Sequence, residues 1–121
     1  MRWFLRSKIH KATVTQAEVD YSGSITIDGN LIDKVGLLDG EKVLVSSITS
    51  GARLETYVMR GAAGSGVICM NGAAAHLIKA GEIIIVMGFE LSDTKVQPKN
   101  ILVDSKNRFV KYLQNIPTEK E

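Results

Sequence analysis

The chain is written in short apolar stretches cut apart by Gly, Asp, Asn and Ser, and sustained 3.6-residue periodicity is scarce. Runs rich in Val, Ile, Leu, Thr or Tyr predict strands over residues 7–14, 24–27, 41–48, 53–60, 67–70, 82–91, 101–104 and 108–112. Thr49-Ser50-Gly51-Ala52 and Ser105-Lys106-Asn107 have the composition of hairpin turns between neighbouring runs. Helical turns fit residues 30–35, where Asp28-Gly29-Asn30 supplies a cap, and residues 73–79. So many short strands in so short a chain predict an all-β domain closed, or nearly closed, into a barrel, because closure removes exposed edges. No internal repeat is visible, and Ile116-Pro117-Thr118-Glu119-Lys120-Glu121 is expected to be a frayed polar tail.

Length and composition narrow this picture. At 121 residues the chain fits one domain, large enough to build a core without disulfides or structural metal. A net charge of +2 gives no electrostatic footprint for nucleic acid or an anionic membrane. Cys69 is the single cysteine, so no intrachain disulfide can form; the residue reads as a small buried thiol in a protein of a reducing cytoplasm. The opening Met1-Arg2-Trp3-Phe4-Leu5-Arg6 lacks the apolar stretch of about 7–15 residues that a secretion signal needs. The longest purely apolar run, from Ile83 to Met87, is far short of the roughly 20 residues that span a bilayer. A soluble protein is expected.

Candidate chemistry is sparse. His10 and His76 have no partner at metal-ligand spacing, so no metal site is expected. Gly61-Ala62-Ala63-Gly64-Ser65-Gly66 lacks the Lys-Ser/Thr pair of a phosphate loop and reads as a connection between strands. No Gly-x-Ser-x-Gly elbow occurs. Tyr21-Ser22-Gly23-Ser24-Ile25-Thr26-Ile27 holds more. Read plainly it is a turn entering a strand, but a Gly-Ser bond has a further chemistry. Gly23 has no Cβ, so its carbonyl can be strained and approached from the side. The Ser24 hydroxyl can attack that carbonyl through a five-membered ring, turning amide into ester. Elimination then leaves dehydroalanine, and hydrolysis releases ammonia and leaves a pyruvoyl group.

Four segments stand together in order: Lys8-Ile9-His10, Tyr21-Ser22-Gly23-Ser24, Arg53-Leu54-Glu55-Thr56-Tyr57 and Asn71-Gly72-Ala73-Ala74-Ala75-His76. In that combination the chain resembles the pyruvoyl-dependent aspartate 1-decarboxylases, over about residues 1–115. The resemblance implies a double-psi β-barrel assembled as a homotetramer, with active sites between neighbouring subunits. It implies conversion of L-aspartate to β-alanine and CO2 for the pantothenate pathway, through a Schiff base on the pyruvoyl group and without pyridoxal phosphate or metal. Self-cleavage would divide the chain into a β chain of residues 1–23 and an α chain of residues 24–121. By the same resemblance Ser24 becomes the pyruvoyl group, Gly23 ends the shorter chain and Thr56 assists cleavage. Tyr57 is implied as proton donor, Arg53 and Lys8 as carboxylate binders, and Gly72, Ala73 and Ala74 as pocket wall. Asn71, His10 and Tyr21 are implied to support the site, and His76 is read as structural. Whether cleavage is spontaneous or helped by an accessory maturation protein stays open.

The residue types suit that chemistry. A phenol such as Tyr57 can protonate a carbanion at carbon. The Arg53 guanidinium is a fork for a carboxylate, which Lys8 is not, and the retained side-chain carboxylate is its expected ligand. Two features pull the other way. Strand alternation sets Thr56 on the face opposite Arg53 and Tyr57, and those two stand roughly 13 Å apart along one strand. Ser22 stands where well-known members carry an acidic residue, and Ser46 where some carry tryptophan. The rival readings are a non-enzymatic small β-barrel that binds nucleic acid or protein, and a family member that no longer processes itself and serves as a scaffold. Seven aromatic residues and a charge of +2 support a binding barrel poorly.

Overall fold

In the computed structural model, which describes residues 1–114, nine strands form one mixed sheet. They are β1 (Arg2–Thr13), β2 (Gln16–Glu18), β3 (Ser24–Asp28), β4 (Lys42–Ser47), β5 (Arg53–Gly61), β6 (Ile68–Asn71), β7 (Ile83–Ser92), β8 (Lys99–Val103) and β9 (Phe109–Tyr112). Helix α1 (Gly29–Val35) follows β3, and a 3-10 turn (Gly72–His76) follows β6. Strand order is β2-β6-β3-β5-β4-β7-β1-β8-β9. Because β1 and β2 are separated by Val14 and Thr15 alone, the chain itself joins one edge of the sheet to a strand near the other. The sheet therefore curls on itself without closing, which agrees with the small β-barrel expected. The expected tail at residues 116–121 lies outside the described residues.

Alternation decides the core. Val43 and Val45 on β4, Ile84 and Val86 on β7, Ile25 and Ile27 on β3, and Ile68 and Met70 on β6 are all buried at every second position. Full burial of each aliphatic side chain contributes about 1.5–3 kcal/mol. On β1 the phase changes: Ser7 and Ile9 point inward, then Ala12 and Val14. The extra residue is Lys11, at φ 67 between His10 and Ala12, where the register with β7 slips. A bulge of this kind sharpens the bend of a strand that must serve both ends of the sheet.

The connections follow their residues. Asp28 caps α1 by accepting from Asn30 N at 2.8 Å, and its carboxylate also accepts from Gly64 N and Gly66 N. The Gly-rich stretch is thus a loop between β5 and β6 folded around Asp28. Gly36 ends the helix in the left-handed region at φ 74. Buried Asn107, in the turn between β8 and β9, donates to Thr13 O and Gly66 O and accepts from Thr13 N. That side chain ties the end of β1 and the Gly-rich loop to the turn between β8 and β9.

Candidate active site

Ser24 opens β3 and is 4% exposed. Its neighbours Ile25 and Ile27 belong to the core, so Ser24 and Thr26 face the other way. Across the ladder β6 sets Asn71 opposite Ser24 and Cys69 opposite Thr26. The Asn71 amide donates to Ser24 Oγ at 2.8 Å and to Thr26 Oγ1 at 3.0 Å. Its carbonyl accepts from Cys69 Sγ at 3.2 Å. Burial, and next the charge of Glu18, push the Cys69 thiol up.

The segment before Ser24 rests on Gly72. This residue sits at φ 72, and a Cβ placed on it would lie 2.8 Å from Gly23 N and Cα and 2.9 Å from Tyr21 O. Only glycine allows both the conformation and the approach. Gly23 itself has open space on its side-chain face, and Tyr21 is exposed. Ala73 is exposed beside them, while Ala74 packs partly against the core.

On the opposite flank β3 runs parallel to β5, with Ile25 level with Val58. Carrying that register back one residue sets Ser24, the first residue of β3, beside Tyr57. Tyr57 is 40% exposed and lies on the outward face with Ser24, whereas Thr56 belongs to the inward face, opposite Val43. The strand stays in register with β4 throughout, so the alternation expected of Arg53, Thr56 and Tyr57 holds.

Arg53, Lys8 and His10 form a second group. Arg53 pairs with Ser46, Ser46 with Ile85 and Ile85 with His10, so one outward row crosses β5, β4, β7 and β1. Lys8 stands in the next row, with Met87, Leu44 and Glu55. Burial first, then Lys8 and Lys11, hold His10 below the usual histidine range, and its Nδ1 is buried without a hydrogen-bond partner among the described residues. Three strand spacings of about 4.8 Å separate Arg53 from His10, and β5 lies one spacing from β3 whereas β1 lies four. His76 closes the 3-10 turn and is exposed.

Two grooves of about 640 and 650 Å³ mark the surface, the first lined by Asp28, Lys34, Arg108 and Tyr112 among others, the second by Trp3, Lys42, Leu44 and Phe89. Neither is lined by Ser24. Among the described residues, no cluster of three or more His, Cys, Asp or Glu could hold a metal ion, and no helix is long and apolar enough to cross a membrane. Thr26 and Cys69 were absent from the candidates read from sequence. Their signal was there as polar positions at every second residue in Ser24-Ile25-Thr26-Ile27 and Ile68-Cys69-Met70-Asn71.

Residues 1–110 match the sequence model of the aspartate decarboxylase family. The aspartate 1-decarboxylase of Corynebacterium efficiens is 54% identical over 114 residues, covering 91% of this chain and 84% of the relative. That of Myxococcus xanthus is 51% identical over 113 residues, covering 90% of this chain and 87% of the relative.

Proposed function

The chain belongs to the aspartate decarboxylase family, and from that premise we propose that it converts L-aspartate to β-alanine and CO2, for pantothenate and hence coenzyme A synthesis, after cleaving its own Gly23–Ser24 bond. The observation that carries the self-cleavage is the pairing of a buried, hydrogen-bonded Ser24 hydroxyl with a Gly23 backbone seated against a residue that has no Cβ. The Asn71 amide beside Ser24 and the Cβ-free Gly72 against Gly23 support a pyruvoyl group forming in place of Ser24.

Cleavage follows from the atoms present. Ser24 Oγ bonds to the Gly23 carbonyl carbon, the C–N bond breaks, and the hydroxyl proton passes to the Ser24 nitrogen. Loss of the Ser24 Cα proton then breaks Cβ–Oγ and frees Gly23 as a carboxylate. Water replaces the nitrogen, which leaves as ammonia. Thr56, next to Tyr57 on β5, is the hydroxyl proposed to hold the reacting carbonyl. The products are chains 1–23 and 24–121 of one domain. The resulting carbonyl supplies an electron sink for decarboxylation, and neither pyridoxal phosphate nor a metal ion is needed.

The remaining roles belong to side chains. Tyr57, beside Ser24 on the outward face, holds the proton that the product carbon receives. Arg53 binds the substrate's side-chain carboxylate through its fork, with Lys8 as a second cation. Gly72, Ala73 and Ala74 wall the pocket; Asn71, His10 and Tyr21 support it. Strand geometry supports a site shared between copies of the chain: Ser24, Tyr57, Asn71 and Gly72 form one part, and of the other, Arg53 stands roughly 13 Å from Tyr57 along β5, and Lys8 and His10 lie four strands from β3. A homotetramer with interfacial sites brings the two parts together. The assembly is proposed to work in the cytoplasm, which the lone buried Cys69 suits.

The reading is tested by following β-alanine formation from L-aspartate in the presence of a chelator and with no added pyridoxal phosphate. Undiminished turnover is expected; a requirement for pyridoxal phosphate would rule out the Ser24-derived carbonyl as electron sink.

A further inference from the structure

The Asn71 amide is an ambiguous group until something chooses its direction. Its nitrogen donates and its oxygen accepts, and the Ser24 and Thr26 hydroxyls can each do either. Those two hydroxyls alone would take the amide in both orientations. The third partner is not symmetric in this way. A thiol S–H donates to a carbonyl oxygen, whereas its sulfur is a weak acceptor of an amide N–H. With Cys69 Sγ 3.2 Å from Asn71 Oδ1, the amide nitrogen is turned toward Ser24 and Thr26.

We propose that Cys69 is a positioning residue for self-cleavage, its thiol holding the Asn71 amide in the orientation that donates to Ser24 Oγ. This rests on the reading of Ser24 as the self-cleaving residue.

Orientation matters to the proton. When Ser24 Oγ accepts an N–H from Asn71, its own O–H is not spent on that partner. It remains free to leave Oγ and reach the Ser24 nitrogen as the C–N bond breaks. With the amide reversed, the same O–H would donate to Asn71 Oδ1 and be held away from the nitrogen that must receive it. Cys69 and Asn71 are 5% and 6% exposed, so water does not readily take the place of the thiol. Burial also keeps the thiol protonated at neutral pH, so the S–H donor is present. The patch is built by the ladder: Cys69 faces Thr26, Asn71 faces Ser24, and the alternate residues Ile68 and Met70 are anchored in the core.

Three variants separate this role from packing. Cys69→Ser keeps similar size but replaces the one-way thiol with a hydroxyl that can donate or accept, Cys69→Ala removes donor and volume, and Cys69→Val removes the donor while keeping an apolar side chain. Freshly purified uncleaved protein is incubated warm, and the Gly23–Ser24 bond is followed by intact mass, with melting temperature recorded for each variant. Cys69→Ser, Cys69→Ala and Cys69→Val are each expected to cleave more slowly than the original chain, by about 3–10-fold, the scale of one neutral hydrogen bond. Cleavage of Cys69→Val at the original rate would overturn the proposal, since packing alone would then suffice. Should that variant not fold, cleavage of Cys69→Ser at the original rate would overturn it. Failure of the unsubstituted chain to cleave removes the reading of Ser24 and this proposal together; cleavage unaffected by Cys69 removes this proposal alone.

Discussion

Asn71 and Ser24 face each other across the ladder of β3 and β6, and the Asn71 amide donates to the Ser24 hydroxyl at 2.8 Å. The same nitrogen serves Thr26, so one amide orders both hydroxyls on the outward face of β3. Asn71→Ala leaves these groups partly buried with a donor lost. Leaving a buried polar group unsatisfied costs about 1–3 kcal/mol. The expected outcome is a lower melting temperature together with slower appearance of the 24–121 fragment. Cleavage at the original rate in a folded Asn71→Ala protein would show that Ser24 needs no such partner.

Tyr57 and Thr56 are neighbours in sequence on opposite faces of β5, and their losses are expected to differ. Tyr57→Phe keeps the ring and the packing but has no acidic proton. It should still yield fragments 1–23 and 24–121, with kcat reduced by roughly 10²–10⁴-fold, the range of general-acid contributions. Thr56→Ala should slow cleavage first, because its hydroxyl is the one proposed to hold the reacting carbonyl. Wild-type kcat in fully cleaved Tyr57→Phe would move the proton donor elsewhere, to His10 or a water.

Arg53 is expected to govern substrate choice. Hydrogen bonds to charged groups contribute about 1.5–3 kcal/mol, so Arg53→Ala should lower kcat/KM for L-aspartate by about 10–150-fold. Arg53→Lys should restore only part of this, since a point charge does not reproduce the fork. L-Glutamate should be a poor substrate, because its extra methylene displaces the α-carbon once the far carboxylate is anchored. The comparison uses aspartate, glutamate and alanine with fully cleaved protein. Unchanged aspartate kinetics in Arg53→Ala would leave Lys8 as the carboxylate ligand.

The strands were legible because each is a short β-branched run closed by turn residues, and every run read from sequence is present in the sheet. Two features were not. The strand Gln16–Glu18 is three polar or small residues that no apolar alternation marks; it exists because β6 offers a parallel partner. The bulge at Lys11 is hidden because the shift from Ile9 to Ala12 looks like noise in a pattern of period two until β7 fixes the register. At the site, the motifs identified Ser24, Tyr57 and Asn71 as residues but not which would be neighbours. Ser24 lies 33 and 47 positions before Tyr57 and Asn71, and only the β5-β3-β6 order brings them level. Cys69 reads from sequence as a buried thiol and Thr26 as an ordinary strand residue, because their place at the site comes from hydrogen bonds rather than from residue spacing alone.

Everything proposed for the site depends on the Gly23–Ser24 bond being broken in the working enzyme. The most direct measurement is the intact mass of a preparation whose turnover of L-aspartate has been verified, with the larger fragment also submitted to N-terminal sequencing. The account predicts fragments 1–23 and 24–121, the second blocked because its first residue carries a carbonyl in place of an amine, and a single uncleaved chain for Ser24→Ala. Active protein that retains the whole 121-residue chain with Gly23–Ser24 intact would contradict it.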